Sequence, residues 1–220
     1  MKSSMLPDTP LTTNSVTQAA QYLRAGQLLT YPTESVWGIG CDPFSQLAVQ
    51  QLLAIKQRPM DKGMIVVTDS AARIAPLLES LSAEQRQTVL DSWHISPNAV
   101  AQQAHTWLLP LSQSQSSQSL SVPIPSWITG AHDSVAVRVI AHPLIQQLCA
   151  QVVSVSNPYG FIVSTSCNPS GQPPALSLAQ AQGYFINSEF AQQVAYLQGD
   201  TLGYELPSQI HDALTGQVIR

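Results

Sequence analysis

Helical and strand spacings of apolar residues alternate irregularly along this chain and lay out its elements. Residues 15–25 carry helical spacing, with Asn14 placed to cap the start and Gly26 to stop it. Residues 27–31 form a short apolar strand, broken at Pro32-Thr33-Glu34. Residues 36–40 resume an extended pattern in which Gly38 and Gly40 permit close backbone approach. Helical spacing returns at 45–56, where Leu47, Leu52 and Ile55 share a face with Val49 and Leu53 beside it. A buried strand follows at 63–68, then helices at 70–78 and 82–93, the second opening on the capping-box sequence Ser82-Ala83-Glu84-Gln85. The pattern then gives a strand at 106–111, a strand at 134–140, a helix at 143–152 with Pro143 in its first turn, and a buried strand at 161–165. A helix at 176–185 and strands at 193–197 and 208–212 complete it, with 217–220 placed to pair at an edge.

Strands and helices mixed in this way predict an α/β or α+β sheet with helical cover. The Ser/Gln run at 112–121 has no apolar periodicity and is expected to be a surface loop. The predicted organisation is a flexible N-terminus at 1–13 and a single domain over 14–220, with the 112–121 loop inserted in it.

Composition narrows the function classes. Hydrophobic residues make up 44% of the chain, as in a globular protein, while charged residues are only 10%, well below the usual quarter or so. A net charge of −4 argues against broad electrostatic binding to nucleic acid, although a local basic cleft stays open. The three cysteines, Cys41, Cys149 and Cys167, form no C-x-x-C pair, so a reducing cytoplasm is the simplest compartment. Residues 1–14 lack the apolar stretch of a signal peptide, and no run approaches transmembrane length.

The chain has nine Lys and Arg residues, and two of them, Lys56 and Arg58, sit one residue apart. Pro59 disfavours helix at Arg58, so the chain should turn there and both cations could face one cavity. A Lys point charge and a flat Arg fork are complementary tools for phosphate or carboxylate, and Lys62 adds a third cation. The same pair would equally suit a solvated helix end facing the C-terminal dipole. A second cluster, Ser164-Thr165-Ser166-Cys167-Asn168, ends an apolar strand; Ser164, Ser166 and Asn168 would share a face if extended, or could simply make a turn. Thr33 follows a Pro between strands, where it could bind a small ligand or serve as an ordinary turn residue. Arg138 lies inside the apolar run Val135–Val139 and calls for a carboxylate partner, either a ligand or a side chain such as Asp133. The five histidines show no metal-ligand spacing, and neither a P-loop nor a Gly-x-Gly-x-x-Gly is present.

Five segments in order carry a resemblance: 31–43 (Tyr31-Pro32-Thr33-Glu34-Ser35 onward), Lys56-Gln57-Arg58-Pro59, Ser134 to Val139 with His142-Pro143, Ser164 to Gly171, and Pro207 to Gly216. Together they resemble the YrdC/TsaC family of threonylcarbamoyl-AMP synthases, in the single-domain bacterial form, from about residue 14 onward. The resemblance implies a YrdC-like twisted, mixed β-sheet flanked by helices, with a concave, positively charged cavity. It implies a nucleotidyltransferase that converts L-threonine, bicarbonate or CO2 and ATP to threonylcarbamoyl-AMP and diphosphate. The product would serve threonylcarbamoyladenosine modification of tRNAs reading codons that begin with A. The implied catalytic set is Lys56, Arg58, Ser166 and Asn168. ATP would be bound by Lys56, Arg58, Lys62, Ser164 and Ser166, with Mg2+ carried on its phosphates and no protein metal site. Thr33, Arg138 and Ser208 would hold threonine. Implied partners are the TsaB, TsaD and TsaE transfer proteins, with a weak tRNA contact and no membrane.

The chain departs from the family pattern at 94–105, 112–121 and 154–160, which resemble insertions, and by Cys167 where the family has Ala. Two rivals stand beside this reading: a non-catalytic tRNA- or rRNA-binding module of the same fold, and a carbamoyl-adenylate enzyme like the hydrogenase-maturation relatives, which sit in much longer chains.

Overall fold

A computed structural model describes residues 10–94, 102–111, 121–206 and 208–220. In chain order the elements are β1 (Leu11–Thr13), α1 (Val16–Arg24), β2 (Leu28–Pro32), β3 (Trp37–Gly40), α2 (Gln46–Lys56), β4 (Ile65–Thr68), α3 (Ala83–Ser92), β5 (His105–Pro110) and α4 (Ser126–Thr129). They continue with β6 (Ser134–Val139), α5 (Pro143–Val152), β7 (Ile162–Val163), β8 (Thr165–Ser166), α6 (Leu178–Phe185), β9 (Val194–Leu197) and β10 (Gln209–Asp212).

Among the described residues the strands form two five-stranded mixed sheets where the sequence suggested one. The first has the order β1-β9-β2-β3-β8, and the second β10-β5-β6-β4-β7. The split falls inside the single strand expected at 161–165. Its first half, β7, pairs antiparallel with β4; its second half, β8, pairs antiparallel with β3. The Ser164 N–H between them donates to the Ile65 carbonyl at 2.9 Å. The apolar run ends at Val163, and the polar Ser164-Thr165-Ser166 carries the extended chain into the other sheet, a change of partner that strand periodicity does not specify.

Helix ends follow local chemistry. The α1 cap is Ser15, whose side chain accepts from the Gln18 N–H, and not Asn14 one position earlier. The capping box of α3 forms as the sequence indicated. The predicted helix at 70–78 is a 3-10 helix over Ala71–Leu78 with Pro76 inside it; a proline removes an N–H from the α-helical ladder and disfavours that geometry. Leu47, expected on the buried face of α2, is 67% exposed, while Ala48, Val49, Leu52, Leu53 and Ile55 make the core contact. Leu11–Thr13, placed by sequence in the N-terminal tail, pairs parallel with β9.

One apolar core joins the sheets, with Trp37 and Ile39 from β3, Val66 from β4 and Val137 from β6. A second lies under α1 and α5, where Ala20, Leu23 and Leu148 meet Leu29, Val67 and Ala195. Each fully buried Leu or Val contributes about 1.5–3 kcal/mol. Both faces of β2 are covered, so all of its residues are buried. These cores fix the sheets around the segment that passes between them. No described helix is long and apolar enough to cross a membrane. Residues 112–120 of the predicted Ser/Gln loop, and 95–101 of the first inserted segment, lie outside the described residues.

Candidate functional site

Where the 162–168 segment crosses between sheets, a cavity of about 370 Å³ opens. The first sheet and its β2–β3 turn supply Thr33, Gly38 and Ser166, and the second supplies Ala136, Arg138 and Ile210. Strand alternation explains the second wall. Ser134, Ala136 and Arg138 line the cavity, while Val135 and Val137 between them are fully buried in the core. The crossing needs a bare backbone at Gly40, where an added Cβ would overlap the Val163 carbonyl oxygen.

The chain turns after α2 as Pro59 suggested. Gln57 takes the left-handed conformation (φ 47, ψ 40), and it is the one non-glycine residue with positive φ among those described. The turn sends Lys56 and Arg58 to different tasks. The Lys56 ammonium donates to the Ser166 carbonyl at 2.8 Å, the Asn168 carbonyl at 2.7 Å and Asn168 Oδ1 at 2.9 Å. The Asn168 amide donates onward to the Pro169 carbonyl at 3.1 Å and the Gln172 carbonyl at 2.6 Å. Neither Lys56 nor Asn168 is among the cavity-lining residues. The sequence-expected foursome is thus brought together, but only Arg58 and Ser166 of it face the cavity.

Arg58 is braced by its own loop. Its Nε and Nη2 donate to the Gly63 carbonyl at 3.2 and 2.9 Å, and Nη2 also to the Lys62 carbonyl at 3.1 Å. Lys62 and Arg220 line the cavity with it. Burial, then the nearby Arg220 charge, lowers the Arg58 pKa from its ordinary value. Arg220 was not picked out from sequence, although the edge pairing that delivers it was: the Ile210 N–H donates to the Arg220 carbonyl at 2.8 Å.

A second group surrounds Thr33. Its hydroxyl donates to the Val36 carbonyl at 2.7 Å, leaving oxygen lone pairs for a further donor. Ser164, 5% exposed, and Ser208 also line the cavity. The protein partner of Arg138 is Glu34, not Asp133: Arg138 Nη1 lies 3.8 Å from Glu34 Oε2. Glu34 is 1% exposed, and its Oε1 accepts from the Ala141 N–H at 2.9 Å. Arg138 Nε and Glu34 Oε2 are both buried without a hydrogen-bond partner. Glu34 could have been suspected from sequence as a carboxylate in a strand-breaking turn, but its distance of about a hundred residues from Arg138 hid the pairing. His132 also lines the cavity and carried no signal in the sequence.

The donor set does not suit a protein-held cation. The cavity lining has no Asp or Glu among its described residues, and no described cluster of three His, Cys, Asp or Glu is placed for a metal. What the arrangement offers is cations and hydroxyls for an anionic, polar ligand.

The Sua5/YciO/YrdC family model, described as "Telomere recombination", matches residues 21–220. The threonylcarbamoyl-AMP synthase of Psychrobacter arcticus is 70% identical over 215 residues, covering 96% of this chain and 98% of that protein. The threonylcarbamoyl-AMP synthase of Acinetobacter baylyi is 47% identical over 208 residues, covering 94% and 97%. Among solved structures, P. abyssi Sua5 complexed with L-threonine superposes with a TM-score of 0.68 at 24% identity, over 92% of this chain and 53% of that one.

Proposed function

The chain belongs to the Sua5/YciO/YrdC family, and from that membership we infer that it is a threonylcarbamoyl-AMP synthase, acting as a nucleotidyltransferase. The observation that carries the reading into chemistry is the cavity between the sheets, which gathers Arg58, Lys62, Arg138 and Arg220 with hydroxyls and no Asp or Glu side chain in its described lining.

The reaction makes one N–C bond and exchanges one P–O bond for another. The threonine amine, as the free base, attacks CO2 and loses a proton to water, leaving a carbamate. A carbamate oxygen then attacks the α-phosphorus of ATP, and the bond to the bridging oxygen breaks as diphosphate leaves with its electron pair. The first stage creates a second negative charge on threonine and the second brings that anion to the ATP phosphates, so positioned cations and dipoles are the main aid this chain gives. Arg138 is assigned to the threonine carboxylate, because its guanidinium is incompletely paired. Thr33 and Ser208 stand on the lining to orient the rest of the amino acid. Arg58 and Lys62 are assigned to the ATP phosphates, with Ser164 and Ser166 beside them. Together these cations would make the cavity positive. Mg2+ comes as part of the ATP substrate, and no step is assigned to it. The product would pass to the TsaB, TsaD and TsaE proteins, which complete the tRNA modification.

The test is diphosphate release by the purified protein. Release that requires ATP, L-threonine and bicarbonate together, with threonylcarbamoyl-AMP identified by mass spectrometry, is the expected result. A folded protein that binds tRNA but gives no such release would overturn the reading in favour of a non-catalytic RNA-binding module.

A further inference from the structure

An ammonium carries three N–H donors, and Lys56 spends all of them on one short turn, at 2.7–2.9 Å from the Ser166 carbonyl, the Asn168 carbonyl and Asn168 Oδ1. The turn is also pinned from its other side. The Cys167 N–H donates to the Trp37 carbonyl at 2.8 Å, and the Cys167 carbonyl accepts from the Ala175 N–H at 2.9 Å. Lys56 itself is absent from the cavity lining, while Ser164, Thr165 and Ser166 just before the turn are on it.

We propose that Lys56 is a positioning residue, whose ammonium holds the 166–168 turn so that Ser164 to Ser166 face the substrates, and that it touches neither phosphate nor carbamate. A phosphate could reach this ammonium only by displacing one of the three acceptors, leaving a half-buried carbonyl or amide oxygen without its donor. Charge matters to the clamp as well as geometry, because hydrogen bonds from a cation are about twice as strong as neutral ones. Burial pushes Lys56 down to about 8, with Cys167 acting to raise it and Arg58 to lower it further. Loss of the proton leaves two donors for three acceptors.

Only the turnover arm of the test rests on the synthase reading; hydrogen exchange on the ligand-free protein does not. Exchange of the 164–175 segment and diphosphate release are measured for wild type, Lys56→Met, Asn168→Ala and the double variant. Lys56→Met is expected to speed exchange across that segment with no substrate present. It should lower kcat/KM about a hundredfold, the scale of a slight misplacement at a reacting centre. Adding Asn168→Ala should cost less than about another twofold, because both changes break one clamp. Wild-type kcat/KM should decline as pH rises past about 8, and this alkaline limb should be missing from Lys56→Met. Unchanged exchange with lost turnover, or losses that multiply in the double variant, would overturn the proposal and make Lys56 a direct ligand. Should Lys56→Met not fold, Asn168→Ala, which removes one acceptor, carries the exchange and turnover readouts in its place. A wild type that releases no diphosphate would sink the synthase reading and still leave the exchange result to judge the clamp.

Discussion

Arg138 Nη1 stands 3.8 Å from Glu34 Oε2, and each group keeps a buried atom with no hydrogen-bond partner, Nε on the arginine and Oε2 on the glutamate. A guanidinium held this loosely beside a cavity can take a second carboxylate in bidentate fashion. Arg138→Met should therefore raise KM for threonine by about 10- to 100-fold, the worth of a hydrogen bond to a charged group. KM for ATP should move much less. The variant also strands Glu34, so the double variant Arg138→Met/Glu34→Gln is the control for folding. Equal losses for threonine and ATP would remove Arg138 from its proposed place.

That pairing also marks the limit of what the sequence discloses. An arginine amid Val135, Val137 and Val139 announces a carboxylate partner, and the partner exists. Its identity depends on which strand turns lie over β6, and that is a property of packing. The strands were legible in two ways: β6 alternates between a core face and the cavity, while β2 and β9 are short runs buried on both faces. The division into two sheets was not, because the step from apolar Val163 to polar Ser164, where the partner changes, reads equally as an ordinary strand end. The clusters at 56–58 and 164–168 were found through residue chemistry. Their different duties, clamp and cavity wall, follow from the left-handed turn at Gln57, an unfavoured conformation for glutamine that no propensity would assign.

Two glycines should respond in opposite directions to the same added methyl. At Gly40 a Cβ would overlap the Val163 carbonyl oxygen, and backbone on a crossing segment has little room to yield. Gly40→Ala is expected to destabilise the protein by about 3 kcal/mol or more. Gly183 lies in α6 with nothing within 4 Å of the point a Cβ would occupy, so Gly183→Ala should stabilise by about 0.5–1 kcal/mol through helix propensity. Denaturant melts of the two variants beside the wild type decide both signs.

A pair of histidines should make stability fall on the acid side. His105 Nδ1 and His211 Nε2 are 3.0 Å apart, and the His211 ring stacks on Trp107 with centroids at 4.6 Å. The contact needs one ring nitrogen to carry a proton and the other to keep its lone pair. Burial lowers both pKa values; the His211 charge lowers His105 further, and a backbone hydrogen bond at Gly216 partly offsets the shift of His211. The folded values therefore lie below the ordinary 6.5. Above that value both states are neutral and the stabilisation is complete; as pH falls below it the unfolded chain takes up protons first and stability drops. Tm should hold level above about pH 7 and decrease as pH falls from there to about pH 5, and His211→Gln should flatten that slope. A slope unchanged by the substitution would assign the acid sensitivity elsewhere.

Arg58 should show the converse of Arg138. Its Nε and Nη2 are committed to the Gly63 and Lys62 carbonyls, which fixes the plane of the guanidinium at the cavity wall. A lysine at this position could keep the charge but could not brace two carbonyls in that plane. Arg58→Lys and Arg58→Ala should both lower kcat/KM for ATP, Arg58→Ala by about 10- to 100-fold, with Arg58→Lys recovering only part of the loss. Threonine binding measured without ATP should stay within about twofold of wild type in both, since Arg138 and Thr33 are untouched. The two arginines thus predict crossed phenotypes: one variant loses the amino acid and the other the nucleotide. If Arg58→Ala weakened threonine binding in the absence of ATP as much as Arg138→Met does, the cavity would not be divided between an amino-acid group and a phosphate group.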